Sequence, residues 1–229
     1  MQLLVRQWQE ATDKRAVFLD CYLRMTRGML TALEAGEFHD PVWVNALLIR
    51  FADYYFDALD AYEQQSPATP AVWKLVHDAT SRERTMILQD LLLGINAHIN
   101  YDLVLTLVDM MDAEWSQLSD IHRQQRYADH SHVNAVIGRT IDTVQDQVVE
   151  HYAPRLNVVD LVLGPVDEWV MSRMIAHWRD EVWKNAVVLM ETPDAAERER
   201  LRRGVEEHTL GRADVIELEN LAEVMSRLV

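Results

Sequence analysis

The sequence predicts an all-α fold, a single helical bundle wrapped round a buried central helix at about residues 84–115, and three observations carry that reading. Its 229 residues include only seven Gly and six Pro, too few turn formers for an all-β chain. Apolar residues recur at three-and-four spacing along most of the chain, the period of one helix face. From Met86 to Val108 the apolar residues lie almost all the way round rather than along one stripe, which marks a helix covered on every side.

The elements follow in order. Leu3 to Ala35 reads as one helix with Phe18, Tyr22, Met25 and Met29 on its face, broken only at Gly28 and ended by Gly36. Asp40-Pro41 is a cap followed by Pro at the first helical position, and it starts a helix reaching about Gln64. That helix is strongly aromatic, with Trp43, Phe51, Tyr54, Tyr55, Phe56 and Tyr62. Ser66-Pro67-Ala68-Thr69-Pro70 is the clearest loop, and Thr69-Pro70 repeats the cap-plus-Pro start for a short helix to about Thr80. The central helix then runs from about Arg84 to Trp115. Ser119 to Tyr127 reads as a shorter polar helix, and Ala128-Asp129-His130-Ser131 as a loop capping a helix that ends at Tyr152, before Pro154. Asn157 to Leu163 forms one or two turns, and Gly164-Pro165 opens a long helix through Trp169, Met174, Trp178 and Val182 to Met190. Thr192-Pro193-Asp194 caps a charge-dense helix ended by Gly211, and Val215, Leu218, Leu221, Met225 and Leu228 mark a last amphipathic one. Residues 1–192 are thus expected to form the bundle domain, and 193–229 two C-terminal helices laid on the bundle or on a partner subunit in a homodimer.

Charge and composition narrow the function. With 22 Lys and Arg against 37 Asp and Glu, the formal charge is -15, a field that repels a phosphate backbone, so nucleic acid is not an expected partner. The single cysteine, Cys21, permits no internal disulfide or thiolate metal cluster and reads as a small buried apolar residue. Arg6, Glu10 and Asp13 interrupt any apolar leader near the start, which leads to a cytoplasmic expectation. A membrane span through the central helix would place Asp90, Asn96, His98, Asn100 and Asp102 in lipid, so none is expected. No Gly-rich phosphate loop, nucleophile elbow or dinucleotide fingerprint occurs.

The central helix carries the candidate chemistry. At 100° per residue His98 and Asp102 share one face, while Asn96 and Asn100 share a second, roughly 160° away. Buried without partners, such groups cost of order 1–3 kcal/mol each, so each must be paired, coordinated or turned to a polar cavity. Two readings follow: an architectural network in which His98 donates to Asp102, or a site with His98, Asp102, Asn96 and Asn100 as catalytic residues acting by acid–base or metal-assisted chemistry. His177 and Glu181 repeat the i, i+4 histidine–carboxylate spacing, so a divalent ion of Zn, Fe or Mn could be held by His98, Asp102, His177, Glu181, Asp53 and Asp57, with Asp60 and His151 nearby in type. The plainer reading makes His177–Glu181 a solvated pair, with Arg179 and Asp180 on the surface. His130-Ser131-His132 reads as an exposed cap. The expected function is an enzyme acting on a small molecule, possible hydrolysis included, with a binding protein or a structural protein as the alternatives.

Gly94-Ile95-Asn96-Ala97-His98-Ile99-Asn100-Tyr101-Asp102-Leu103 resembles the hallmark of a bacterial all-helical family whose domain has no assigned function. The likeness extends to Phe38-His39-Asp40-Pro41, to residues 51–58, to Asp129 through Asn134, and to Trp183-Lys184-Asn185-Ala186. It implies family membership and singles out these residues without implying a reaction. In the spacing of His98/Asp102 and His177/Glu181 the chain is also similar to zinc-dependent phospholipase C and the single-strand nucleases, all-helical enzymes that use such pairs.

Overall fold

The computed structural model describes residues 1–82, 87–152 and 165–218, with the backbone alone described at 142–152, 165–169 and 218. Among the described residues every regular element is helical. The first expected helix is two: α1 spans Gln2–Glu10 and α2 spans Arg15–Glu34. The break is at Thr12, whose φ of 58° lies in the left-handed region, and the Asp13 carboxylate then accepts from the Arg15 N–H, the first of α2, at 3.0 Å. This turn lets α1 fold back and bury Val5 and Trp8, with the Arg15 guanidinium 4.5 Å over the Trp8 ring. Gly28 interrupts nothing and lies within α2.

Helix α3, Pro41–Glu63, begins as the sequence reads, with Asp40 accepting from the Trp43 N–H at 2.9 Å. Helix α4, Ala71–Thr80, starts after Pro70, but Thr69 does not cap it; the Ala71 N–H donates instead to Glu206 of the last helix at 3.0 Å. The central rod is α5, Ile87–Ala97, then a π-helical segment at His98–Asp102, then α6, Leu103–Trp115. The expected start at Arg84 and Met86 lies outside the described residues. By length and composition Ile87–Trp115 could cross a bilayer, yet 89% of its most apolar window is buried inside the fold, the placement of a core helix.

The expected loop at 128–131 is absent. Helix α7 runs unbroken from Asp120 to Tyr152, because tertiary partners satisfy the polar residues that imitate a turn there. Helix α8 spans Pro165–Glu191 and α9 spans Ala195–Leu218. Gly211 does not end α9: Val205, Thr209, Ala213 and Ile216 form a buried stripe across it, and that burial outweighs the roughly 1 kcal/mol a mid-helix glycine costs. Pro154, Asn157 to Leu163, Gly164, and the helix expected at Leu221, Met225 and Leu228 lie outside the described residues. The central rod packs against α2, α3, α4, α8 and α9, so α9 lies on the bundle.

Candidate active site

The π-segment coincides with the polar motif. The Leu103 N–H reaches back five residues to the His98 carbonyl, the wider turn that defines a π-helix. The Thr106 hydroxyl donates to the Asp102 carbonyl at 2.8 Å. Within this turn His98 Nδ1 lies 2.9 Å from Asp102 Oδ2, and both side chains are buried. The Trp73 indole N–H of α4 donates to both Asp102 oxygens at 3.0 Å. A group surrounded by donors fits a carboxylate, so the imidazole carries its proton at Nδ1 and presents a lone pair at Nε2. Burial pulls the His98 imidazole down, opposed by its bond to Asp102; burial pushes the Asp102 carboxyl up, opposed by His98 and Trp73.

His98 Nε2 is buried and has no hydrogen-bond partner. The ring is clamped by aromatics: Phe51 stacks on it with centroids 3.6 Å apart, Tyr22 meets it edge-on at 4.4 Å, and Phe18 at 5.8 Å. Together with α7 and α8 these residues line a cavity of about 110 Å³ whose walls are mostly apolar.

Three polar residues of this cavity's lining were not read from the sequence as site residues. Asp129, His130 and Arg179 all line it. Asp129 accepts the backbone N–H groups of His39 and Asp40 at 2.8 and 2.9 Å, tying α7 to the start of α3. His130 Nε2–H donates to the Arg179 carbonyl at 2.9 Å, and Arg179 Nη2–H donates to the His130 carbonyl at 2.7 Å. Arg179 Nε–H also donates to Asn134 at 2.8 Å. Arg179 is only 4% exposed and His130 1%, which corrects the reading of both as surface residues. Periodicity held the signal: Arg179 stands four residues after Ile175 and four before Trp183 on the buried stripe of α8, and Asp129 stands four before Val133 on α7.

Asn96 and Asn100 belong to a different construction. Asn96 Nδ2–H donates to the Thr209 carbonyl at 2.9 Å, Asn100 Nδ2–H to Asn96 Oδ1 at 2.9 Å, and Arg212 Nη1–H to Asn100 Oδ1 at 2.8 Å. Arg212 bonds Glu181 as well, so the network joins the π-segment to α9 and α8. Neither asparagine is among the residues that line the cavity, and the side chains of both are engaged in this network.

The expected metal donors are not gathered. His177 and Glu181 lie 3.6 Å apart, with His177 more than half exposed and Glu181 engaged by Arg212. Asp53, Asp57 and Asp60 face solvent because α3 turns its aromatic stripe inward. The side chain of His151 lies outside the described residues. Among the described residues no three His, Cys, Asp or Glu side chains group so as to hold an ion, so those present do not fit a Zn, Fe or Mn centre. Cys21 is buried, as expected, and burial pushes its thiol up to about 12.

Fold and site together define an all-α bundle protein with a buried histidine–aspartate pair at the wall of an apolar cavity. The chain belongs to DUF5995, a family of unknown function, whose family model matches residues 1–218. No curated protein and no solved structure matches it.

Proposed function

We propose that the protein is an enzyme that performs metal-free acid–base chemistry on a small, largely apolar molecule held in this cavity, with His98 Nε2 as the general base and Asp102 as the group that orients it. The observation that carries the reading is the unpaired Nε2. The asparagine network satisfies its members, whereas His98 is held at Nδ1 and left bare at Nε2, at a cost of order 1–3 kcal/mol. Its place beside a cavity gives that cost a use. Asp102 fixes the tautomer and stabilises the imidazolium formed when Nε2 takes a proton, and the aromatic clamp keeps bulk water from competing for the lone pair. The cavity has the scale of an engineered one of about 150 Å³ that takes benzene, so the substrate is about one ring or a short branched chain in size.

The imidazole's reactivity is measurable without knowing the substrate. Acyl transfer from 4-nitrophenyl acetate, a neutral ester of suitable size, is expected to run faster than with free imidazole and to fall at least tenfold in His98→Asn and in Asp102→Asn. Rates unchanged in variants that keep their circular dichroism spectrum would refute the assignment.

A further inference from the structure

Arg179 is a buried cation that has no counterion among the described residues. Among the described residues no carboxylate lies within ion-pair distance of it, and its hydrogen bonds run from Nε and Nη2 to neutral acceptors: Asn134 Oδ1, the His130 carbonyl and, at 3.4 Å, His130 Nδ1. Among the described residues nothing accepts from Nη1. The nearby acids are committed elsewhere: Asp129 to the backbone of His39 and Asp40, and Asp180 to Lys184 and Tyr127. His130 cannot neutralise the charge, since its Nε2–H is spent on the Arg179 carbonyl and burial holds the ring neutral. Removing an ion from water costs several kcal/mol unless something pairs with it. The same residue lines the apolar cavity that His98 also lines.

We propose that the cavity's ligand is a small apolar monocarboxylate of about benzoate size, its carboxylate paired with the Arg179 guanidinium and its hydrocarbon body lying between that group and His98. The proposal rests on the reading of the cavity as the substrate site and names the class of substrate. One negative charge neutralises the positive charge of Arg179, and the fork of guanidinium N–H groups matches a planar carboxylate. Burial pulls the guanidinium down to about 9, which still leaves it charged near neutral pH, and a bound carboxylate would hold it up. The formal charge of -15 does not prevent uptake, because exposed charges are screened beyond about 10 Å at 0.1 M salt while the pair forms inside the fold. Apolar walls favour a hydrocarbon body over a polar acid such as a hydroxy acid or a sugar acid.

Calorimetric titration of the full chain near pH 7 with benzoate, and with benzyl alcohol as its neutral counterpart, tests this. Benzoate is expected to bind at least ten times more tightly than benzyl alcohol, and the preference should disappear in Arg179→Met and survive in reduced form in Arg179→Lys. Equal affinity for the two compounds, no measurable binding of benzoate, or a preference that persists in folded Arg179→Met would each overturn the proposal. The comparison in the unsubstituted protein decides the matter even if Arg179→Met does not fold. Acyl transfer, read on His98→Asn, and the benzoate preference, read on the unsubstituted protein, report on the two readings separately. Loss of the preference alone therefore removes the carboxylate, whereas acyl transfer independent of His98 removes the acid–base reading and leaves the carboxylate standing.

Discussion

His77 and His98 are both buried imidazoles, and the contrast between them shows what a partner does. His98 is held by Asp102, whereas neither ring nitrogen of His77 has a hydrogen-bond partner. His77 stacks on Trp73 with centroids 5.5 Å apart and lies 4.7 Å from Tyr62. Burial, helped by the Arg15 cation and opposed by Asp13 and Asp78, pulls its imidazole down to about 4. The folded value lies below the unfolded value of about 6.5, so as pH falls the unfolded chain takes up the proton first and stability drops. The loss begins near pH 6.5, is complete near pH 4, and amounts to about 3 kcal/mol. His77→Phe keeps the stacking and removes the titration. Urea unfolding at a series of pH values should therefore show the variant gaining on the unsubstituted protein from pH 6.5 down to 4; parallel curves would show that His77 does not titrate as a buried neutral ring. At this scale the sequence offered the His98–Asp102 pair through its spacing of four. It hid Arg179, because a charged side chain is ordinarily solvated and only its place on the buried stripe of α8 tells otherwise.

At the scale of elements, glycines separate close contact from open surface. A Cβ on Gly94 would stand 2.5 Å from the Phe18 ring, the ring that also walls the cavity beside His98. Gly94→Ala must push Phe18 or part α5 from α2, at about 1–3 kcal/mol, and should also alter acyl transfer because the displaced ring borders the imidazole. Gly211 meets nothing within 4 Å. Gly211→Ala should instead stabilise by about 0.5–1 kcal/mol, through helix propensity alone. Thermal or urea unfolding of the two variants reads both signs, and stabilisation in both would mean that α5 and α2 are not in contact at Gly94. Element boundaries were legible where local chemistry sets them, as at Asp40-Pro41. They were misread where tertiary bonds decide: Asp129 and His130 look like a turn until α3 and α8 supply their partners, and the Thr12 turn carries no Gly or Pro to announce it.

For the molecule as a whole, the bundle and its buried central helix follow from the apolar run at Ile87–Val108, which neighbouring helices cover on its sides. The division at residue 192 does not follow in the same way. Helix α9 buries Val205, Thr209, Ala213 and Ile216, supplies the Thr209 carbonyl to Asn96, sends Arg212 to Asn100 and Glu181, and caps α4 through Glu206. A chain ending at Thr192 would leave Asn96 and Asn100 without their α9 partners at of order 1–3 kcal/mol each, and would expose the apolar stripe at roughly 25 cal/mol per Å². Those losses approach the roughly 5–15 kcal/mol that separates a folded domain from its unfolded chain. The truncated chain is therefore expected to lose its cooperative thermal transition and its near-ultraviolet circular dichroism. A sharp transition within a few degrees of the full chain's would mean that the first 192 residues fold alone, and that the asparagine network contributes little to holding the central helix in place.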